Sequence, residues 1–353
     1  MRWPLRLYNS EEIDAAGLIL AQDETEANEA QAGDFIHARA VVSNFRGIHH
    51  MPLNTFQTTL REKASVFDNA VVAQRIKRMP AIRFKLKKRT EKPIALSAMQ
   101  DIGGCRAVLG THSEVDRLCK KYLNSSLKHK LIQHDDYISM PKFSGYRGVH
   151  LVYQYKSDKK ETYNGLKIEL QFRTQIQHAW ATAVEIVGFF RRELLKSSEG
   201  DHAWKQFFKL MAAELAFEEG ATFGIPGIST DRNLIRSELK RCAEHLDAMN
   251  YLNSVGNGVS QIKETDVLDA HYFLLELDPT TRQLNITGYK FQARELANLA
   301  YEDVERSILG STGHERDAVL VSASSFAELK KAYVNYFLDM SRFISLAEEA
   351  VLG

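Results

Sequence analysis

The chain has 353 residues, 44% of them hydrophobic and 26% charged. That is an ordinary globular composition, long enough for two or three domains, with no low-complexity tract and no internal repeat. The net charge of +1 is unevenly spread: residues 266–353 carry 14 acidic and 8 basic side chains (−6), and residues 1–265 carry 31 and 38 (+7). Opposite-signed halves imply an anionic partner for the basic part, or the two halves docking on each other. Cys105, Cys119 and Cys242 are far apart and odd in number, so neither a disulfide framework nor a metal-ligand pair is expected, and a reducing cytoplasm is the expected location. The opening "MRWPLRLYNSEEIDAAG" lacks a long apolar core, and no apolar run is long enough to span a bilayer.

In chain order, residues 10–32 read as an acidic helix with Ser10 as N-cap. Phe56, Leu60, Ala64 and Phe67 at helical spacing predict a helix over 54–75. Pro80 opens a short helix, "PAIRFKLKKR", with Ile82 and Leu86 on its buried face. "GCRAVLG" reads as a strand entered through Gly103–Gly104, and residues 113–126 as a helix capped by Ser113. Two alternating strands follow, "VHLVYQY" and "LKIELQFRT", separated by the polar loop "KSDKKETYNG". Helical tracts are expected at about 175–195, 200–218 and 230–253, then a turn-rich linker, "NSVGNG". From 266 a ββαβα pattern predicts a small α+β domain: a hairpin around "DPTTR", a helix over 292–308, the strand "AVLVSA" and one long helix over 325–351.

Chemistry concentrates at the two alternating strands. Closing them symmetrically sets Phe172 opposite Val149 and Gln171 opposite His150. Glu169, Gln171, Arg173 and His150 then share one surface, with Tyr146 and Lys142 at its edge. A solvated strand face would show the same alternation. Asp101, beside two glycines at a strand start, suits a magnesium ligand if Glu169 lies nearby, and a plain turn otherwise. Residues 75–92 hold nine basic side chains against Glu91 alone; such clusters bind phosphates or nucleic acid, or form a solvated face.

Four motifs in order, "RIK…AIRFK", "QDIGGCRAV", "DYISMPKFSGYRGVH" and "IELQFRTQIQHAWATAVE", resemble the RelA/SpoT nucleotidyltransferase domain over about residues 40–195. The resemblance implies an α+β fold with a mixed-sheet core flanked by helices, and transfer of the β,γ-diphosphate of ATP to a ribose hydroxyl. It implies that Arg75, Lys77 and Lys85 grip the ATP phosphates. Asp101 would hold Mg2+, and Glu169 would bind metal or take the hydroxyl proton, with Gln171 orienting it. Lys142, His150 and Arg173 would contact the acceptor and Tyr146 would stack on its purine. Ala81 stands where the family usually has serine, removing one hydroxyl from the phosphate-facing helix start. The 74 residues before Arg75 are too few for the family's hydrolase domain, so a synthetase without hydrolase is expected.

Near the C-terminus, "KKAYVNYFLDMSRF" contains Tyr333 and Tyr336 as a Y-x-x-Y pair. The whole chain resembles CapRel-type fused toxin–antitoxins. That resemblance implies a toxin domain over 1–265 that pyrophosphorylates the 3′ CCA end of tRNA and stops translation. It also implies an antitoxin domain over 266–353, a pseudo-zinc-finger that blocks the ATP site through Tyr333 and Tyr336 until a phage capsid protein binds. Cys242 precedes that domain, so no zinc site is expected. Tyrosines three apart on a helix are also ordinary core packing. Two alternatives stand beside this reading: a (p)ppGpp synthetase acting on GDP or GTP, and a non-catalytic RNA-binding relative, which the joint presence of Asp101 and Glu169 disfavours. No DNA or membrane partner is expected.

Overall fold

The computed structural model describes residues 3–22, 29–87, 94–191, 202–221, 224–256, 258, 261–278, 281–310, 316–323, 325–333, 336–337 and 339–352. Among them one mixed sheet of nine strands runs through the molecule in the order β3-β4-β5-β2-β1-β9-β7-β8-β6. The first five strands are β1 (Val71–Ile76), β2 (Gly103–Leu109), β3 (Lys130–Asp136), β4 (Val149–Gln154) and β5 (Lys167–Thr174). The remaining four are β6 (Gln261–Thr265), β7 (Tyr272–Asp278), β8 (Gln283–Tyr289) and β9 (Asp317–Ser322).

The β4–β5 register is the one the alternation predicts: Val149 faces Phe172 and His150 faces Gln171. Ile168, Leu170 and Phe172 are fully buried on one face, which leaves Lys167, Glu169, Gln171 and Arg173 on the other. Strand β2 lies parallel to β5, pairing Gly104 with Glu169, and antiparallel to β1, pairing Gly104 with Arg75. A Cβ at Gly103 would fall 2.8 Å from Ile168 Cδ1, so the close approach of β2 and β5 needs glycine there.

The back face is covered by α1 (Ser10–Ala21), α2 (Glu29–Ile48), α3 (His50–Ala64), α4 (Met79–Lys87) and α5 (His112–Leu123), which share one core with β2, β4 and β5. The front face is covered by α6 (Gln175–Phe190), α7 (His202–Glu218), α8 (Arg232–Leu246) and α9 (Ala248–Gly256). Helix α10 (Arg294–Gly310) packs on β7 and β9; α11 (Phe326–Ala332) and α12 (Ser341–Leu352) join the front-face core.

Several sequence expectations shift. The helix over 54–75 stops at Ala64; Asn69, at φ 59°, turns the chain into β1. The caps are Asn9 and Thr111, each in a capping box with a glutamate at N3, rather than Ser10 and Ser113. Strand β3 and helix α2 were not foreseen. The 230–253 tract divides at Asp247, which is left-handed at φ 49°. The 192–195 end of the 175–195 tract lies outside the described residues.

The largest difference concerns the C-terminal region. Strand β9 bridges to β1 through Arg75 and Val321, so its sheet continues that of the preceding region. Strand β6, which follows the expected linker and was not foreseen, pairs with β8 and belongs to this unit although it precedes residue 266. Helix α6 is apolar nearly all round, burying Trp180, Ala181, Ala183, Val184, Ile186 and Val187, so it needs cover on both sides. Helix α12 supplies part of that cover; its Phe343 ring lies 5.7 Å from Phe208 of α7. The two units therefore share a core. The expected single helix over 325–351 is broken: α11 ends at Ala332, and Asp339 accepts from the Ser341 N–H to start α12 afresh. Tyr333 and Tyr336 sit in that break.

Candidate active site

Three segments meet at the end of β1. Lys77 follows β1, Lys85 lies in the last turn of α4, and Asp101 precedes β2. The Lys77 Nζ is 2.9 Å from Asp101 Oδ2 and the Lys85 Nζ 2.8 Å from Oδ1. Burial opposes charge on Asp101, but the two ammonium groups overrule it and hold the carboxyl at about 2. For Lys77 burial dominates and pulls the ammonium below its ordinary value, with Asp101 acting the other way. Two cations thus converge on one carboxylate, an excess of positive charge suited to phosphate oxygens.

Glu169 lies across the cavity on β5. Its Oε1 is 3.0 Å from His150 Nδ1, and its Oε2 accepts from Gln171 Nε2 at 2.8 Å. Burial works against its charge; the His150 and Gln171 hydrogen bonds prevail and lower the pKa. His150 Nε2 lies 2.5 Å from the Tyr146 hydroxyl, which accepts from Arg173 Nη2 at 2.6 Å. The neutral tautomer that serves both ends donates from Nδ1 to Glu169 and accepts the Tyr146 O–H at Nε2. Arg173 is buried, and its Nε and Nη2 donate to Tyr146 and Gln171, so it positions the tyrosine and the glutamine. Lys142 is exposed and lies 4.0 Å from the Tyr137 ring centre and 5.3 Å from that of Tyr146.

A cavity of about 70 Å³ lies between these groups, lined by Arg75, Lys77, Asp101, Arg106, Glu169 and Gln171. Tyr333 from the C-terminal unit lines it too. The Tyr333 side chain is buried and its hydroxyl donates to the Gln74 carbonyl; burial pushes that phenol up to about 12. Beside it, Arg106 Nη2 donates to the Ala332 carbonyl at 2.5 Å. Tyr336 sits outside the cavity, its hydroxyl accepting from Arg78 Nη1 at 3.1 Å, and Arg78 also pairs with Asp317.

Sequence reasoning passed over Arg106. It shares the front face of β2 with Gly104 and Val108, and a lone arginine inside an apolar strand was the available signal. Burial, with Arg173 and Arg75 nearby, depresses it to about 10. A second unread group grips the Lys77–Met79 segment from behind. Glu305 of α10 accepts from Arg46 Nη1 at 2.7 Å and from the Met79 N–H at 3.1 Å, while Arg46 Nε donates to the Lys77 carbonyl at 2.9 Å.

The basic tract 75–92 does not present one face. Lys77 and Lys85 turn to Asp101, Arg78 to the C-terminal unit, and Arg83 to the Leu20 carbonyl; Lys88, Arg89 and Lys92 lie outside the described residues. Among the described residues no cluster of three or more His, Cys, Asp or Glu is arranged to hold a metal. Asp101 and Glu169 instead offer two ionised carboxylates to one cavity, a hard-oxygen pair compatible with Mg2+ when substrate phosphates complete the shell.

Residues 74–187 match the family model described as "Region found in RelA / SpoT proteins". This segment carries the region shared by RelA and SpoT proteins. The GTP pyrophosphokinase YjbM of Bacillus subtilis is 29% identical over 111 residues, 31% of this chain and 52% of that protein, so the chain spans about half of that relative's length. Among solved structures, the small alarmone synthetase 1 of Bacillus subtilis bound to its product pppGpp is similar at 20% identity and TM-score 0.42, covering 50% of this chain and 91% of that one. A GTP pyrophosphokinase family protein from Streptococcus pneumoniae is similar at 22% identity and TM-score 0.42, covering 50% and 89%. No described helix is long and apolar enough to cross a membrane.

Proposed function

We propose that the chain is an ATP-dependent pyrophosphokinase that modifies the ribose hydroxyl at the 3′ CCA end of tRNA and is held off by its own C-terminal unit. The Arg75, Lys77 and Lys85 cations receive the ATP phosphates, and Arg106 flanks the nucleotide beside Arg75. Asp101 and Glu169 would hold Mg2+, which neutralises phosphate charge. Tyr146 and Lys142 hold the acceptor nucleoside. Glu169 takes the proton of the attacking hydroxyl, whose oxygen bonds to the β-phosphorus as the bond to the α-phosphate oxygen breaks and AMP leaves. Gln171 and His150 keep the Glu169 carboxylate aimed. Positioning and charge neutralisation carry the chemistry, as phosphoryl-type transfer requires.

The observation that carries the autoinhibition is the seat of Tyr333. With it in place about 70 Å³ remains among the clamps, against roughly 300–1,000 Å³ for ordinary ligand pockets. ATP binding then needs this segment to withdraw. Among the described residues, the −6 unit meets the +7 region through the ion pairs Arg46–Glu305 and Arg78–Asp317. A phage protein that binds the withdrawn form better would shift the balance towards activity.

The likeness to a protein named GTP pyrophosphokinase favours a second reading, transfer to GDP or GTP. The test supplies γ-labelled ATP with tRNA, GDP or GTP in separate reactions. It uses full-length chain and the Tyr333→Ala, Tyr336→Ala variant, because a cut near 265 would divide a shared core. Label on tRNA, strongest in the variant, supports the proposal. Label on GDP or GTP alone makes the protein an alarmone synthetase.

A further inference from the structure

A second cavity, of about 230 Å³, lies behind the loop that carries Lys142 and Tyr146. Phe143 and Ser144 form one wall, Trp180 and Phe208 the inner wall, and Lys205 and Lys209 of α7 another; among the described residues no carboxylate lines it. Lys209 is 7% exposed, and its Nζ sits 3.4 Å from the Phe143 ring centre. No carboxylate among the described residues pairs with it, and burial pulls its pKa down. Its alkyl stem is buried while the ammonium lies on an aromatic ring without a carboxylate partner among the described residues, so it can pair with an anion. Phe143 is 69% exposed on its remaining surface, although it is a large apolar side chain on a rigid loop. Two features fix that loop. Gly145, at φ +90°, lies where a Cβ would meet the Ala212 Cβ at 2.7 Å, and Arg147 is locked to Glu219 at 2.6 Å with both side chains buried.

We infer that this cavity is a subsite for the phosphate on the 5′ side of the acceptor nucleoside, with Phe143 stacking the preceding base of a polynucleotide. The inference rests on the reading of Lys142 and Tyr146 as acceptor-binding residues. Tyr146 and Phe143 are three residues apart on one loop, so consecutive bases can use them while the linking phosphate meets Lys209. The polyphosphate of a free nucleotide carries the same anionic chemistry but no second base to cover Phe143. The subsite would therefore let the protein prefer a strand end over a mononucleotide.

The test measures binding of AMP, ADP, GDP and the trinucleotide CCA to the full chain by competition with a fluorescent CCA and, as a direct check, by calorimetry. The proposal expects CCA to bind at least tenfold more tightly than AMP. Phe143→Ala should remove most of that advantage, since stacking on an aromatic is worth about 5- to 150-fold per base, and leave AMP unchanged. Lys209→Met should weaken CCA and lower the slope of log affinity against log salt by about 0.7, one phosphate contact on a single strand. Equal affinity for CCA and AMP, or a CCA advantage that Phe143→Ala leaves intact, overturns the subsite while the acceptor reading stands. Tighter ADP and GDP than AMP, lost in Lys209→Met with CCA unaffected, assigns the cavity to a free polyphosphate and overturns the strand-end preference. Failure of all four ligands to bind removes the acceptor reading itself, and the subsite with it.

Discussion

Replacing Tyr333 by alanine should raise affinity for a non-hydrolysable ATP analogue by two to three orders of magnitude. The docked ring is 3% exposed and its hydroxyl donates to the Gln74 carbonyl. Burying such a side chain is worth about 2–3 kcal/mol, and the hydrogen bond about 1 kcal/mol. Both are lost when the segment withdraws, so together they favour the closed form by about 3–4 kcal/mol, and each 1.4 kcal/mol is a factor of ten. Apparent affinity for a ligand of the open form rises by that factor until the open form dominates. Tyr333→Phe, which deletes the hydroxyl alone, should give about a fivefold gain. Calorimetric titration with the analogue reads both, and thermal unfolding checks that each variant is folded. A folded Tyr333→Ala protein with unchanged affinity would refute the reasoning, because the ring would then be core and not a plug.

Glu169→Gln, tested in the Tyr333→Ala, Tyr336→Ala protein, keeps the shape of the side chain while removing its charge and replacing one of its two acceptor oxygens by a donor. It should cut transfer by about 10²–10⁴, the range for loss of a general base, with the melting temperature little changed; retained turnover would remove Glu169 from the chemistry. The Asp101 carboxyl is held at about 2 against an ordinary 3.8. Its depressed folded value means the contribution to stability is present above pH 3.8 and fades as pH falls towards 2. Denaturant unfolding should show that contribution, about 2 kcal/mol, as a gap between wild type and Asp101→Asn at pH 6 that narrows below pH 4; a gap independent of pH would contradict it. Glu305→Gln leaves Arg46 buried without its charge partner and should lower stability by about 3–5 kcal/mol, seen as a lower denaturation midpoint. A midpoint equal to wild type would mean that the back-side pair carries no weight.

The strand-borne half of the candidate site was legible because it rests on a period of two. Alternation in "VHLVYQY" and "LKIELQFRT" sorts His150, Glu169 and Gln171 onto one face, and the structure pairs those strands in the expected register. Placing Asp101 beside Lys77 and Lys85 needed the resemblance, since the lysines reach it only through the turn from β1 into α4. Strand β1 was hidden because Val71–Ile76 follows a helical pattern with only Asn69 to mark the turn. Strand β3 is half-exposed at a sheet edge and carries "QHDD", a weak strand signal. The C-terminal helix was misjudged because Tyr333, Tyr336, Met340 and Phe343 fit a helical period. They are buried because the broken segment packs in the core shared by the sheet and α6–α9. Contacts such as Arg46–Glu305, 259 positions apart, leave no local pattern to read.

The most direct test of the central claim follows each phosphorus atom of ATP. ATP labelled separately at the α, β and γ positions is incubated with tRNA and the Tyr333→Ala, Tyr336→Ala protein. The account predicts that β and γ label move together onto the 3′-terminal nucleoside while α label leaves as AMP. Movement of γ label alone would make the enzyme a simple kinase, and movement of α label a nucleotidyltransferase; either result would contradict the account.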